Sequence, residues 1–297
     1  MAKFQGSKIN PSKFSLSQIK FYIFLIPLCL FTGLPILFIF MNAFKPLDEL
    51  NAFPPRFYVI NPTLINFKNL LSFANNGYSI GRYLSNSIII SAITVLLTIL
   101  LTTITGYALS KMKFKIKKIV IELNTIAMMF VPIAVSIPRY LIINKVGLID
   151  TMAVHIIPLL AMPTGLFLIK QFLDQIPNEL LEAAKVDGAK NFYIYRKIVL
   201  PLIKPAIATV SILAFQTVWN NIETSSIFTN SIGNYTFAYY LSILTQNTNT
   251  IAGQGMQAAA TLLLFLPNFV LFIILQSKVM ATMAYTGIKS WEKYFIK

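Results

Sequence analysis

Long charge-free stretches alternate with short charged segments along this chain. The charge-free stretches cover residues 21–44, 83–110, 123–138, 151–169, 205–222 and 224–277. Because a helix needs about 20 apolar residues to cross the hydrocarbon core of a bilayer, four of these stretches fit one membrane-spanning helix each.

The other two stretches also contain one span each. The third is long enough when Glu122 lies in its first turn, which gives a predicted span from about Ile119 to Tyr140. The sixth begins with a segment rich in Ser, Thr, Asn and Gly, so that only about Met256 to Ser277 is predicted to cross. The pattern therefore predicts an all-α, polytopic membrane protein with six transmembrane helices.

The distribution of Lys and Arg predicts the orientation of these helices, because cytoplasmic loops carry an excess of both residues. With the N-terminus inside, the inner segments hold 19 of the 25 Lys and Arg residues and the outer segments hold six. We therefore expect both termini to lie in the cytoplasm. The formal net charge of +15 then reflects membrane topology rather than nucleic-acid binding.

The remaining composition argues against an enzyme. The chain has one cysteine, Cys29, and one histidine, His155, so we expect no disulfide, no metal site and no Cys-His nucleophile. No phosphate-binding GxxxxGK[ST] loop is present, and no cofactor is predicted. The spans also lack the paired acids or the Ser/Lys pair that an intramembrane enzyme needs.

The longest inner loop, residues 174–204, has the local chemistry of two short helices joined by a tight turn. Pro177 suits a first helical position, and Gly188 after Asp187 suits the left-handed conformation that ends a helix. Asn191 is predicted to cap a second helix from Phe192 to Leu200, which Pro201 ends. By local chemistry alone, this elbow is either a docking surface for a partner or a surface hairpin without one.

The elbow resembles the EAA loop in permease subunits of binding-protein-dependent ABC importers. The resemblance rests on Glu182-Ala183-Ala184, Asp187-Gly188-Ala189, Ile198–Pro201 and Lys204–Ala206, and further on Asn86-Ser87, Gly106–Leu109, Val131-Pro132, Gly147-Leu148, Trp219-Asn220 and Thr286–Lys289. The last of these is similar to the ending found in the carbohydrate branch, which includes maltose and glycerol-3-phosphate importer permeases. Asn221 departs from the pattern, since the family often has an acid there.

The resemblance implies a type I importer permease in a bacterial plasma membrane. It also implies a second permease subunit, two cytoplasmic ATP-binding subunits and an external solute-binding protein. The elbow would contact an ATPase through Glu182, Ala183, Ala184, Asp187 and Gly188, with Glu182 paired to an ATPase arginine. The implied domains are residues 1–80, a transmembrane domain over 81–278, and a cytoplasmic tail over 279–297.

Candidates for the solute path are Trp219, Asn220, Asn221 and Glu223, because sugars are held by hydrogen bonds and ring stacking. Trp219 also suits an interfacial aromatic belt. Among other ionisable groups, Glu122 is expected to pair with a nearby lysine, His155 to be hydrogen-bonded structure, and Arg139 to be an interfacial anchor.

The outer segment 224–255 contains no charged residue. By the same resemblance, it would reach into the binding protein with Gly233, Asn234 and Tyr235 near its tip, around Gly233–Phe237. An interfacial helix from Tyr235 to Leu244 is the alternative. For the whole chain, a secondary carrier that works without ATPase subunits is the alternative function, although it would favour buried mid-membrane charges, which are not visible here.

Overall fold

A computed structural model describes residues 19–72, 79–247 and 251–295. This part of the chain is helical and contains no β-strand. The α-helices are α1 (Ile19–Phe44), α2 (Leu47–Leu50), α3 (Ile65–Ser72), α4 (Ile80–Lys111), α5 (Lys117–Met129), α6 (Ser136–Lys145), α7 (Ile157–Leu160), α8 (Pro163–Asp174), α9 (Asn178–Val186), α10 (Asn191–Ile194), α11 (Leu200–Leu202), α12 (Lys204–Trp219), α13 (Glu223–Phe228), α14 (Phe237–Asn247) and α15 (Ile251–Phe295).

The helices account for six membrane spans, as the hydrophobic pattern predicts. Three spans are single helices, namely α1, α4 and the apolar part of α15 over Gly253–Gln276. The other three are helix pairs, with bends of 109° between α5 and α6, 41° between α7 and α8, and 79° between the α10–α11 segment and α12.

The third span differs from the single helix expected over Ile119–Tyr140. Helix α5 ends at Met129, and Phe130 and Val131 are extended, with ψ of 133° and 128°. The residue before a proline is disfavoured in the α region, and Pro132 has no N–H to continue the helix. A proline alone does not decide such a break, since α15 continues through Pro267.

The chain divides into two compact units, residues 1–70 with 248–262, and residues 71–247 with 263–297. The first unit therefore combines the N-terminal segment with the start of α15.

Polar contacts hold the first unit together after α1. Glu49 accepts hydrogen bonds from the backbone N–H groups of Ile60 at 3.0 Å and Asn61 at 2.7 Å. The Ile60 bond in particular holds the pKa of the Glu49 carboxyl below its usual range. Asn66 donates to the carbonyl oxygens of Ala43 at 3.0 Å and Lys45 at 2.8 Å. These bonds tie the connection after α1 back to the end of that helix.

The second unit is organised around α4, which packs against α8 and α12. Gly106 permits the close approach of α8, because a Cβ atom there would lie 2.8 Å from Ile169 Cγ2 and 3.2 Å from Leu173 Cδ1. Small residues at helix contacts are typical of membrane proteins, where close backbone packing replaces the hydrophobic effect. The C-terminal parts of α4 and α8 are therefore tightly packed together.

Candidate functional site

The elbow consists of α9, a turn, and the segment from α10 to α11. Helix α9 starts at Asn178, one residue later than predicted, with Pro177 in an extended conformation before it. Glu179 lies in the first turn, where an acid interacts favourably with the helix dipole.

The turn after α9 is a complete Schellman motif, as the Asp-Gly sequence suggests. Gly188 has φ of +82°. Its N–H donates to the carbonyl oxygen of Lys185 at 3.0 Å, and the N–H of Ala189 donates to that of Ala184 at 2.9 Å. These two bonds satisfy helix carbonyls that would otherwise lack partners, and they require a residue that accepts positive φ.

The second half of the elbow departs from prediction in two ways. Asn191 is the first residue of α10 rather than its cap, and Lys190 precedes the helix without a side-chain capping bond. Pro201 does not end the helix, which continues through α11 to Leu202. A π-helical turn over Tyr195–Val199 precedes the proline. Such a wider turn relieves the clash between a proline ring and the carbonyl group four residues earlier.

The inner face of the elbow is anchored in the second unit. Leu181 and Ile194 are buried in one apolar cluster with Tyr107 of α4 and Ile169 of α8, and Ala184 packs against that cluster. The elbow and the C-terminal parts of α4 and α8 therefore share a core.

Hydrogen bonds reinforce this anchor. The ammonium group of Lys111, at the end of α4, donates to the carbonyl oxygen of Ile176 at 2.6 Å. The hydroxyl of Ser110 donates to the Asp174 carboxylate at 2.6 Å. The elbow is thus attached to α4 through polar as well as apolar contacts.

The outer face of the elbow is exposed. Glu182, Ala183, Val186 and Asp187 all lie on it, and Val186 is 88% exposed. Of the five residues predicted to contact an ATPase, four are exposed. The fifth, Ala184, is half-buried and packs inward. An exposed surface on a packed support is suited to receive another protein.

The four residues predicted along the solute path do not form one surface. Trp219 is 2% exposed, and its indole N–H donates to the carbonyl oxygen of Leu264 at 2.8 Å. Its ring stacks on Phe215 with 5.4 Å between centroids. The alternative interpretation as an interfacial belt residue is therefore wrong. Asn220 is exposed, and its Oδ1 accepts a hydrogen bond from Asn268 at 3.3 Å.

Asn221 and Glu223 take part in other contacts. Asn221 Oδ1 accepts from the N–H of Thr224 at 2.9 Å and from its hydroxyl at 2.8 Å. Glu223 forms a two-pronged ion pair with Arg139, with N···O distances of 3.0 Å and 3.2 Å. Arg139 therefore joins α6 to the start of α13, a role beyond that of an interfacial anchor.

His155 and Glu122 have the structural contacts expected of them. His155 is fully buried, and its Nδ1 lies 2.8 Å from Thr224 Oγ1. Its Nε2 lies 3.4 Å from Thr229 Oγ1. Glu122 lies 3.8 Å from the ammonium group of Lys118, one turn earlier on α5. The described residues contain no cluster of His, Cys, Asp and Glu that could hold a metal ion.

The outer segment is held by Asp150. Its carboxylate accepts bonds from the N–H groups of Asn230 at 3.0 Å and Ser231 at 2.7 Å, and from the Ser231 hydroxyl. The Ser231 hydroxyl above all holds the pKa of the Asp150 carboxyl below its usual range. Asn234 donates its side-chain amide to the carbonyl oxygen of Asp150 at 3.1 Å.

The stretch Gly233–Phe237, predicted as the tip of the outer segment, is packed against α4. Gly233 and Phe237 are both buried. The side chain of Asn86 on α4 donates to the carbonyl oxygens of Gly233 at 2.9 Å and Tyr235 at 3.0 Å. The alternative predicted an interfacial helix from Tyr235 to Leu244. A helix is present there, α14, but it does not lie on the protein surface, because Phe237 and Tyr240 are buried within the protein.

Sequence reasoning gave no site role to three polar residues, namely Asn86, Asp150 and Asn268. Asn268 was detectable as a lone amide beside Pro267 in an apolar run. Its Oδ1 is buried and accepts no hydrogen bond from the described part of the chain. Asp150 was less detectable, because the residues that it holds lie about 80 positions away.

Comparisons with known proteins agree with this architecture. Residues 102–277 match the family described as "Binding-protein-dependent transport system inner membrane component". The putative ABC transporter permease protein ORF2 of Caldicellulosiruptor sp. (strain Rt8B.4) is 35% identical over 71% of this chain and 76% of its own.

Further relatives carry names that refer to sugars. The melibiose/raffinose/stachyose import permease protein MelC of Bacillus subtilis (strain 168) is 32% identical, over 77% of this chain and 83% of its own. The arabinooligosaccharides transport system permease protein AraQ of the same organism is 28% identical, over 93% of this chain and 98% of its own. Among solved structures, one chain of a bacterial ABC transporter involved in the import of the acidic polysaccharide alginate superposes with a TM-score of 0.78 at 19% identity, covering 89% of this chain and 98% of that chain. That structural likeness supports the fold alone.

Proposed function

This chain belongs to the family of binding-protein-dependent transport system inner membrane components, and from that membership we propose that it forms half of the translocation path of an ATP-driven importer. The solute that we propose is a sugar, as the names of MelC and AraQ suggest, or a glycerol-phosphate-type compound, as the resemblance of Thr286–Lys289 to the carbohydrate branch implies. The permease itself carries out no covalent chemistry.

The observation that carries the proposal is the two-faced elbow. Its inner face is packed against α4 and α8, whereas Glu182, Ala183 and Asp187 are exposed. A docking element must be rigid on the side that transmits force and open on the side that receives the partner. We propose that this outer face binds a cytoplasmic ATPase, and that Glu182 pairs with a cation on that subunit.

The proposed complex includes a second permease subunit, two ATP-binding subunits and an external solute-binding protein. The ratio of 19 inner to six outer Lys and Arg residues supports an orientation with both termini in the cytoplasm. On the outer side, Asn234 and Tyr235 remain half-buried, and we propose them, rather than the buried Gly233, as contacts of the binding protein.

For the solute path, we propose Asn220 as the residue that faces the solute. Gln216 and Thr217 are also exposed and lie within one turn of it on α12, so that polar side chains form one stripe along this face. Exposed polar residues on a membrane helix are expected to face water or protein rather than lipid. Trp219, Asn221 and Glu223 then position the stripe through their own contacts.

Copurification with ATPase subunits tests the proposed function, and Glu182→Lys tests the elbow. We expect the wild-type chain to retain its ATPases and Glu182→Lys to lose them, because a reversed charge opposes the ion pair. Glu179→Lys is the matched control, since Glu179 is an exposed acid on the same helix. A wild-type chain that transports without any ATPase subunit would instead be a secondary carrier. Equal loss in both variants would argue against a specific role of Glu182.

A further inference from the structure

A groove in the second unit lies between α4 and the segment that follows the elbow. It encloses about 550 Å³, and its apolar wall includes Leu96, Leu100, Pro201 and Ile207. Leu96 and Leu100 are 67% and 52% exposed, so the groove is open along the membrane-facing side of α4.

Two cations line the groove. Arg196 and Lys204 both line it and are both exposed. Its lining contains no Asp or Glu, and among the described residues neither cation forms an ion pair. Inside the groove, the hydroxyls of Thr103 and Tyr195 are 2.8 Å apart and bond to each other. The two cations are therefore the groups available to an anionic ligand.

The position of the groove along α4 fits the inner surface of a bilayer. Helix α4 has 32 residues and is thus roughly 48 Å long, whereas the hydrocarbon core is about 30 Å thick. Thr103 lies eight residues before the cytoplasmic end of α4 at Lys111, which places it about 12 Å from that end. Leu96 lies about 10 Å deeper in the membrane than Thr103. Thr103 thus lies near the boundary between the hydrocarbon core and the headgroups, and Arg196 follows Tyr195, whose hydroxyl bonds to that of Thr103.

We propose that this groove binds an anionic phospholipid of the inner leaflet. The phosphate contacts Arg196 and Lys204, and one acyl chain lies along Leu96 and Leu100. A free anion would gain nothing from the leucine wall, and an apolar helix of another subunit would leave two cations without partners. Basic pockets between membrane helices on the cytoplasmic side are suited to anionic headgroups. The bound lipid would join the second half of the elbow to α4.

Native mass spectrometry of the full-length chain, purified with the subunits that accompany it, tests the proposal. After delipidation, we titrate phosphatidylglycerol and, separately, phosphatidylcholine. We expect one phosphatidylglycerol per chain to bind in preference to phosphatidylcholine. Arg196→Gln with Lys204→Gln should weaken that binding by about thirtyfold, from the usual contribution of two basic side chains near a membrane surface. Lys113→Gln with Lys115→Gln is the matched control and should leave it unchanged.

A second variant separates the groove from surface charge. Leu100→Trp fills the apolar wall and keeps both cations, so it should also weaken phosphatidylglycerol binding. The proposal is overturned if Leu100→Trp binds normally, if the control pair loses as much affinity, or if both lipids bind equally. Should the Arg196 and Lys204 variant fail to assemble, phosphatidylglycerol with a photoreactive acyl chain is applied to the wild type. We expect labelling within residues 96–103, and a photocrosslink from position 100 to another permease subunit would instead identify a protein occupant.

Discussion

Gly188→Val is the substitution that most directly tests the elbow. Gly188 has φ of +82°, and no described atom lies within 4 Å of the position that a Cβ would occupy, apart from its chain neighbours. A side chain at this position therefore meets open space. The variant changes the backbone preference of the turn without disturbing the packing around it.

The magnitude follows from this geometry. A left-handed conformation costs a non-glycine residue about 1–2 kcal/mol, and the cost is at the upper end for a β-branched side chain. This energy corresponds to a roughly 5- to 30-fold lower population of the Schellman turn. Because the turn orients the exposed face of α9, we expect ATPase affinity to fall by a similar factor. Gly188→Asn should cost much less, since asparagine tolerates the left-handed region.

The chain contains a matched control at the other end of the membrane. Gly147 has φ of +74°, with equally open space around it, and it ends α6 in the same motif. Its N–H donates to the carbonyl oxygen of Asn144 at 3.0 Å, and that of Leu148 donates to Ile143 at 3.1 Å. Gly147→Val therefore introduces the same backbone strain at a turn outside the elbow.

The assay is the ratio of ATPase subunits to permease after copurification, together with solute-stimulated ATP hydrolysis. We expect Gly188→Val to lower the ratio and Gly147→Val to preserve it, with both chains inserted in the membrane at normal levels. The reasoning is refuted if Gly188→Val retains its ATPases fully, or if the two valine variants lose them to the same extent.

Three further predictions concern the rest of the chain. A cysteine at position 61 should react with an impermeant thiol reagent from outside and one at position 115 only from the cytoplasm; the reverse pattern would contradict the charge-based orientation. Gly106→Val should destabilise the chain by about 1–3 kcal/mol through overpacking against α8, measured as a lower thermal midpoint in detergent, whereas Gly33→Val, which meets no described atom within 4 Å, should not. Because the folded pKa of Asp150 lies below its unfolded value, its carboxylate should stabilise the outer segment above the unfolded pKa of about 4, and that contribution should disappear as the pH falls through the folded pKa. The protection factors of the two backbone N–H groups that bond to this carboxylate, that is, their exchange rates relative to the intrinsic rate at each pH, should fall on acidification in the wild type and be low at all pH values in Asp150→Ala; a high, pH-independent protection factor in the variant would refute the assignment.

Features that depend on adjacent residues were predictable from the sequence. The number of spans follows from the length of the charge-free runs, because hydrocarbon excludes charge along any helix that crosses it. The turn at Gly188 follows from Asp187-Gly188 after a helical pattern, because positive φ is a local property of the backbone. The ion pair of Lys118 and Glu122 follows from their spacing of four residues.

Whether a span stays straight or bends at a proline depends on tertiary packing. Prolines interrupt several apolar runs, yet α15 continues through Pro267 whereas the chain turns by 109° between α5 and α6 near Pro132. A proline removes one donor and disfavours the α region before it in either case. Whether the helix continues depends on the neighbours that satisfy the freed backbone groups, and these neighbours are remote in sequence.

The contacts of the four candidate solute-path residues also depend on tertiary structure. Trp219, Asn220, Asn221 and Glu223 are nearly consecutive, but successive positions on a helix or turn point in different directions. Each side chain therefore meets a different neighbour, and Arg139, the partner of Glu223, lies 84 residues away in the chain. The sequence can identify a polar group at a membrane boundary. Whether that group is available to a solute depends on whether residues remote in sequence already form hydrogen bonds or ion pairs with it.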